Sequence, residues 1–196
     1  DANLGKRKWF HFGKYFFLGP LFFLIGMFFI VVFEYVKIEN DFRKQTIQGT
    51  VHDPTSAMMG GISGHAGLFS NVDDLFVLMQ LLLNKGEVRG VKLIEPNTVE
   101  LFTKYQNKSR RGLGFDKPER ELRTGQPKYP SQLWSNETFG HTGFTGTAVW
   151  ADPESKIVYI FLSNRTFPSS NNRKLMQMNI RSKIMDEAYK AFIMLR

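Results

Sequence analysis

The stretch "FGHTGFTGTAVWADPESKIVYIFLSNR", residues 139–165, restricts the fold more than any other part of the chain. Residues 147–151 and 156–164 are two β-prone runs, and Asp152-Pro153-Glu154-Ser155 supplies turn chemistry between them. Two strands joined so closely must run antiparallel. A hairpin alone has no use for the His141-Thr142-Gly143 that precedes its first strand. A titratable ring, a hydroxyl and a glycine together suit a place where backbone approaches a ligand.

Helical signals surround this hairpin. In "SNVDDLFVLMQLLLNKG" Ser70 is the expected N-cap with Asp73 three residues on, and Gly86 the expected left-handed stop. Leu75, Leu78, Met79, Leu82 and Leu83 form its apolar face. A second helix begins at Pro96 and runs towards Lys104. Residues 113–115 read as a short strand. Residues 171–194 read as one long helix with Leu175, Met178, Ile184, Tyr189 and Phe192 on or near one face. Loops are expected at 60–70 and 117–131, where Gly, Ser, Pro and Lys crowd together. The class is therefore α+β, with an antiparallel sheet of three strands covered by helix on one face and open at one edge.

The N-terminal region is different in kind. "YFFLGPLFFLIGMFFIVVF", residues 15–33, is nineteen residues without a charge and contains seven phenylalanines. As a helix it would span about 28 Å, close to the hydrocarbon thickness of a bilayer. Trp9, Tyr15 and Tyr35 lie near its ends, and Lys6, Arg7, Lys8 and Lys14 precede it. The expectation is a transmembrane anchor over residues 1–41 with a cytoplasmic N-terminus, leaving 42–196 as a periplasmic or extracellular domain. A cleaved signal peptide fits less well, since no small-residue cleavage site follows.

Composition removes several functions. There is no cysteine, so a thiolate zinc site and a Cys nucleophile are excluded. The net charge of +8 is spread out, apart from the N-terminal tail and Lys108-Ser109-Arg110-Arg111. No basic groove with interleaved aromatics is visible, so nucleic acid is not an expected partner. No His/Asp/Glu spacing suggests a metal, and no cofactor motif is present.

The ordered set "GTVHDPTSAMMGGISGHAGLFSNVDDLFVLMQLLLNKG", "RGLGFDKP" and "FGHTGFTGTAVWADPESKIVYIFLSNR" resembles the C-terminal part of the penicillin-recognising serine hydrolases. These include class C β-lactamases, D-alanyl-D-alanine peptidases and related esterases. The likeness covers residues 42–192. It implies a partial β-lactamase/DD-peptidase-like fold and a small-molecule or peptide acyl substrate. In such proteins a Ser-x-x-Lys supplies nucleophile and base, a Tyr-x-Asn or Ser-x-Asn follows, and a Lys-Thr-Gly or His-Thr-Gly lies on an edge strand. The resemblance assigns His141, Thr142 and Gly143 to substrate binding. It gives His141 a catalytic part too, as a donor or partial positive charge. The amide of Phe144 becomes a donor to the oxyanion.

One part of the pattern is missing. No serine in the chain is followed by lysine three residues later. Tyr105-Gln106-Asn107 fits Tyr-x-Asn by letters but falls between the other motifs, so it reads as a loop after a helix. His65, within Gly64-His65-Ala66-Gly67-Leu68, reads as a hydrogen-bonded structural histidine rather than a ligand or base. His52-Asp53 reads as loop, because adjacent residues rarely face each other. The chain is thus expected to be a portion of a serine acyl-hydrolase, inactive alone and completed by an upstream half carrying the nucleophile. The alternatives are a membrane-anchored, non-catalytic relic or binding module of the same fold, or a chain whose apolar segment is its functional part.

Overall fold

The computed structural model describes residues 30–31, 38–40, 43–107, 109–120 and 127–195. Nearly all of the apolar run 15–33 lies outside the described residues. Its described piece, β1 (Ile30–Val31), pairs in parallel with β4 (Leu68–Phe69). Among the described residues no helix is long and apolar enough to cross a membrane. A small antiparallel pair follows, β2 (Ile38–Asn40) with β3 (Gln45–Ile47). Next comes the one-turn helix α1 (Pro54–Met58), whose Asp53 cap accepts the Ser56 amide at 2.7 Å.

Helix α2 (Val72–Leu83) forms as its apolar spacing requires, burying Leu75, Leu78, Met79, Leu81, Leu82 and Leu83. The cap is Asn71, not Ser70. Asn71 is extended (φ −128°, ψ 177°) and its carboxamide accepts the Asp74 amide at 3.0 Å, whereas the Ser70 hydroxyl reaches only the Asn71 carbonyl. Asp73 and Asp74 in the first turn favour the positive end of the helix dipole. At the other end Lys85 takes the left-handed conformation (φ 56°). Gly86 closes the turn by donating to the Leu81 carbonyl at 2.8 Å. Gly86 is still needed, since a Cβ there would sit 2.0 Å from the Ile94 carbonyl oxygen. A small β5 (Glu87–Val88) and β6 (Val91–Lys92) pair and helix α3 (Pro96–Thr103) complete this half.

The central sheet has three antiparallel strands in the order β7 (Phe139–Thr142), β8 (Ala148–Asp152), β9 (Ile157–Phe161). Alternation along β8 divides the interior in two. Ala151 and Val149 face the aliphatic side, with α2, Val99, Phe115 and Phe139. Ala148 and Trp150 face an aromatic side with Trp134, Tyr129, Tyr159, Met185 and Tyr189. The sheet is therefore covered on both faces, not one. The second cover is α5 (Ile180–Met194), which carries Met185 and Tyr189.

Two further expectations differ from the structure. The expected helix over 171–194 is broken into α4 (Lys174–Gln177) and α5 by Asn179, whose φ of 55° no continuous helix can contain. Asparagine tolerates that conformation better than most residues. The break re-aims the face: Met185 is buried, while Met178 and Ile184 are 56% and 44% exposed. The expected strand at 113–115 is a tight turn in which Gly112 donates to the Phe115 carbonyl and Gly114 sits at φ 90°. Only the flanking Arg111 and Asp116 make bridges.

Candidate active site

Strand β7 is held in place by packing on both faces. Phe139 is buried edge-on against Phe115, with ring centroids 5.3 Å apart. Gly140 lies beneath Trp150, where a Cβ would come within 2.7 Å of the indole. At Gly140 the outer edge of β7 is occupied by Asp116, through backbone hydrogen bonds of 2.7 and 3.1 Å. Successive residues in a strand direct their N–H and C=O to opposite sides. His141 therefore turns its backbone to β8, and Thr142 turns its own to the outer edge. Gly143 closes the turn by donating to the Thr147 carbonyl at 2.8 Å. The Phe144 amide has no acceptor among the described residues.

The turn from 143 to 147 is clamped by two arginines. Arg165 Nε donates to the Phe144 carbonyl at 2.6 Å, and its guanidinium lies 4.3 Å from the centre of the Phe144 ring. Arg165 also donates to the carbonyls of Ser170 and Asn172. Arg181 donates to the carbonyls of Gly146 and Thr147. Burial lowers the pKa of both guanidinium groups, and other cations push Arg165 the same way. The Phe144 ring, 57% exposed, stacks on His52 at 5.5 Å. His52 is thereby drawn to the end of β7, a place that loop reading had not given it.

The side chains of the tripeptide have partners within the chain. Arg111 Nη1 lies 3.0 Å from His141 Nε2 and can only donate, so that nitrogen accepts. His141 Nδ1 lies 2.8 Å from the Thr142 carbonyl oxygen and so carries the proton. The ring is a neutral imidazole with an assigned tautomer. Its pKa is lowered, chiefly because burial disfavours the charged ring. Arg111 and Arg110 push the same way, while Asp116 and the bond to Thr142 oppose. The cation beside the strand is Arg111, which also pairs with the buried Asp116 at 2.9 Å. Arg110 stands 3.9 Å from the same carboxylate and covers the Tyr129 ring. The Thr142 side chain hydrogen-bonds Tyr129, whose pKa is raised by burial first and by Asp116 second.

Sequence reasoning gathered His141 to Phe144 but missed Arg111, Asp116 and Tyr129. The signal for Arg111 was present in Lys108-Ser109-Arg110-Arg111, the one basic cluster outside the tail. Tyr105-Gln106-Asn107 lies apart in sequence from this strand, and the Gln106 amide donates to the Arg111 carbonyl. It follows α3, and the Tyr105 hydroxyl donates to the Pro118 carbonyl. His65 is hydrogen-bonded as expected, to Ser63 and Asp53. Among the described residues no three His, Cys, Asp or Glu side chains gather closely enough to hold a metal ion.

The sequence that carries the edge strand and its turn matches a known family. The Beta-lactamase family model covers residues 34–180. The chain belongs to the β-lactamase family. A putative D-alanyl-D-alanine carboxypeptidase of Escherichia coli K12 is 41% identical over 127 residues, 64% of this chain and 29% of that protein. One from Salmonella enteritidis PT4 is 39% identical over 137 residues, 69% of this chain and 31% of that protein. This β-lactamase-family chain thus spans about a third of the length of those curated relatives.

Proposed function

We propose that this chain is the C-terminal portion of a penicillin-recognising serine acyl-hydrolase acting on a β-lactam, peptide or ester, with the outer edge of β7 as its substrate-binding strand. The observation that carries this reading is the end of that strand: the Phe144 amide has no acceptor among the described residues, on a turn clamped by Arg165 and Arg181. A donor held still before the reaction is what oxyanion stabilisation needs, at about 3–4 kcal/mol for each such donor. Thr142 would offer its hydroxyl and outward-facing backbone to the substrate. Gly143 would let the substrate backbone pass close by. His141, neutral as its partners require, would act as a hydrogen-bonding group, with Arg111 contributing the fixed positive charge.

The family's acylation step needs a Ser-x-x-Lys, and this sequence has none. The reading therefore requires an upstream half to supply it. Joined to the nucleophile-bearing half of a relative, residues 42–196 should acquire penicillin labelling that the chain alone lacks. In that enzyme Gly143→Val should abolish acylation by steric exclusion. Thr142→Val should cost about 1–3 kcal/mol, or roughly five- to a hundred-and-fifty-fold in kcat/KM. An active Gly143→Val enzyme would remove the assignment. The uncharged residues 15–29 and their basic flank support a membrane anchor with an outward-facing domain, the Ile30–Val31 end of the apolar run being strand paired with Leu68–Phe69. Fractionation tests that separately: the chain should pellet with membranes and resist carbonate, and recovery in the soluble fraction would exclude an anchor.

A further inference from the structure

The glycine-rich loop after α1 contains an arrangement that the family's chemistry does not use. Ser63 Oγ lies 3.0 Å from His65 Nδ1, and His65 Nε2 lies 2.9 Å from Asp53 Oδ1. A carboxylate can only accept, so Nε2 carries the ring proton and Nδ1 is left to accept from the serine. Hydroxyl, imidazole and carboxylate are connected in the order that activates a serine. The ring is used in the opposite sense from the usual one, with Nδ1 rather than Nε2 towards the hydroxyl. Either nitrogen can take a proton.

The surroundings fix these three groups. Asp53 also caps α1 at the Ser56 amide, so its carboxylate cannot swing freely. Glycines 61 and 67 fold the loop back, and a Cβ on Gly67 would lie 2.2 Å from the Gly61 carbonyl oxygen. The Ser63 hydroxyl has two further acceptors in reach, Ser56 Oγ at 3.1 Å and the Ala66 carbonyl at 3.2 Å. Gly64 follows the serine; its amide has no acceptor among the described residues, and the space off its Cα is open. The residue after a nucleophilic serine commonly gives its N–H to the oxyanion. Ile62, Met58 and Met59 around the loop are 79%, 67% and 63% exposed, a surface suited to an apolar acyl chain.

We propose that Ser63, His65 and Asp53 form a second nucleophile relay, separate from any Ser-x-x-Lys site, that accepts short apolar acyl groups from esters. Ser63 Oγ bonds to the ester carbonyl carbon as its proton passes to His65 Nδ1, and Asp53 steadies the imidazolium. The ester C–O bond breaks, and the leaving alcohol takes that proton. Water then attacks the acyl-serine, His65 receives its proton, and the carboxylic acid departs as Ser63 recovers its hydrogen.

The test uses the full chain with no upstream half. A fluorophosphonate probe should label it, with the adduct on the Ser63 peptide by mass spectrometry, and Ser63→Ala should lose that label. His65→Gln should slow labelling by about a hundredfold, the lower end of general-base effects. Circular dichroism establishes whether each variant is folded. Should Ser63→Ala unfold, Ser63→Cys gives the same information: its iodoacetamide alkylation should slow about as much when His65→Gln is added. No label, a label elsewhere, or labelling of Ser63 indifferent to His65→Gln overturns the proposal. Penicillin labelling of the joined enzyme is independent of all these outcomes, so this relay and the family site fail separately.

Discussion

The chain contains two Gly-His pairs, Gly140-His141 on β7 and Gly64-His65 on the loop after α1, and their environments are opposite. Gly140 is glycine because Trp150 and the Val149 carbonyl fill the space where a Cβ would go. Nothing lies within 4 Å of that position at Gly64. His141 faces a guanidinium, which forces its near nitrogen to accept. His65 faces a carboxylate, which forces its near nitrogen to donate. The same two letters thus give one ring whose proton points along the strand and one whose basic nitrogen points at a serine. The chemistry of a histidine is set by the residue opposite it, and that residue is distant in sequence for both.

The largest difference between the pairs should appear on adding one methyl group. In Gly140→Ala the new Cβ would meet the Val149 carbonyl at 2.1 Å and the Trp150 ring at 2.7 Å. The loss should reach the top of the overpacking range, about 3 kcal/mol, read as a shift in the urea midpoint. Next comes Arg111→Gln, which removes the nearer of the two arginines paired with the buried Asp116 and should cost about 1–3 kcal/mol. It should also raise the His141 pKa, because Arg111 is one of the charges holding it down. An NMR titration of the ring that shows no rise would break the contrast drawn above.

Acid should separate the two regions in smaller steps. His141 is below its ordinary 6.5 in the folded chain, so between those values the unfolded chain binds more protons. Stability should then fall as pH drops below 6.5, and His141→Gln should remove that step. Burial raises the Asp53 pKa, but the Ser56 amide and His65 outweigh it, leaving the carboxyl below its ordinary 3.8. Its contribution is present above 3.8 and is lost as pH falls through the lower folded value, so this second step should survive His141→Gln. Smallest of all is Gly64→Ala, expected within about 0.5 kcal/mol of the parent. A large loss there would mean the loop is packed as tightly as the strand.

The sequence made local features legible and left distant partners obscure. The spacing of leucines announced α2, Pro96 announced α3, and the Asp152-Pro153 turn announced the hairpin, because each signal lies within a few residues of its effect. The cap at Asn71 was missed by one residue, since Ser70 and Asn71 are both good caps. The break at Asn179 was hidden because apolar residues continue across it. His141 to Phe144 could be assigned by resemblance. Arg111 stands thirty residues before His141, and Asp53 twelve before His65, and only the folded chain makes them neighbours.

Strand β8 is bonded to β7 on one side and β9 on the other, and covered by α2 and α5 on its two faces. Its amides can reach solvent only when a large part of the fold opens, which makes them natural candidates for the slowest hydrogen exchange in the chain. The outward Thr142 amide, one strand away, needs no such opening. Exchange measured residue by residue would therefore show a steep gradient across a single inter-strand spacing. The outer edge of β7 exchanges on a fast clock, while the strand that holds it in register keeps the clock of global unfolding.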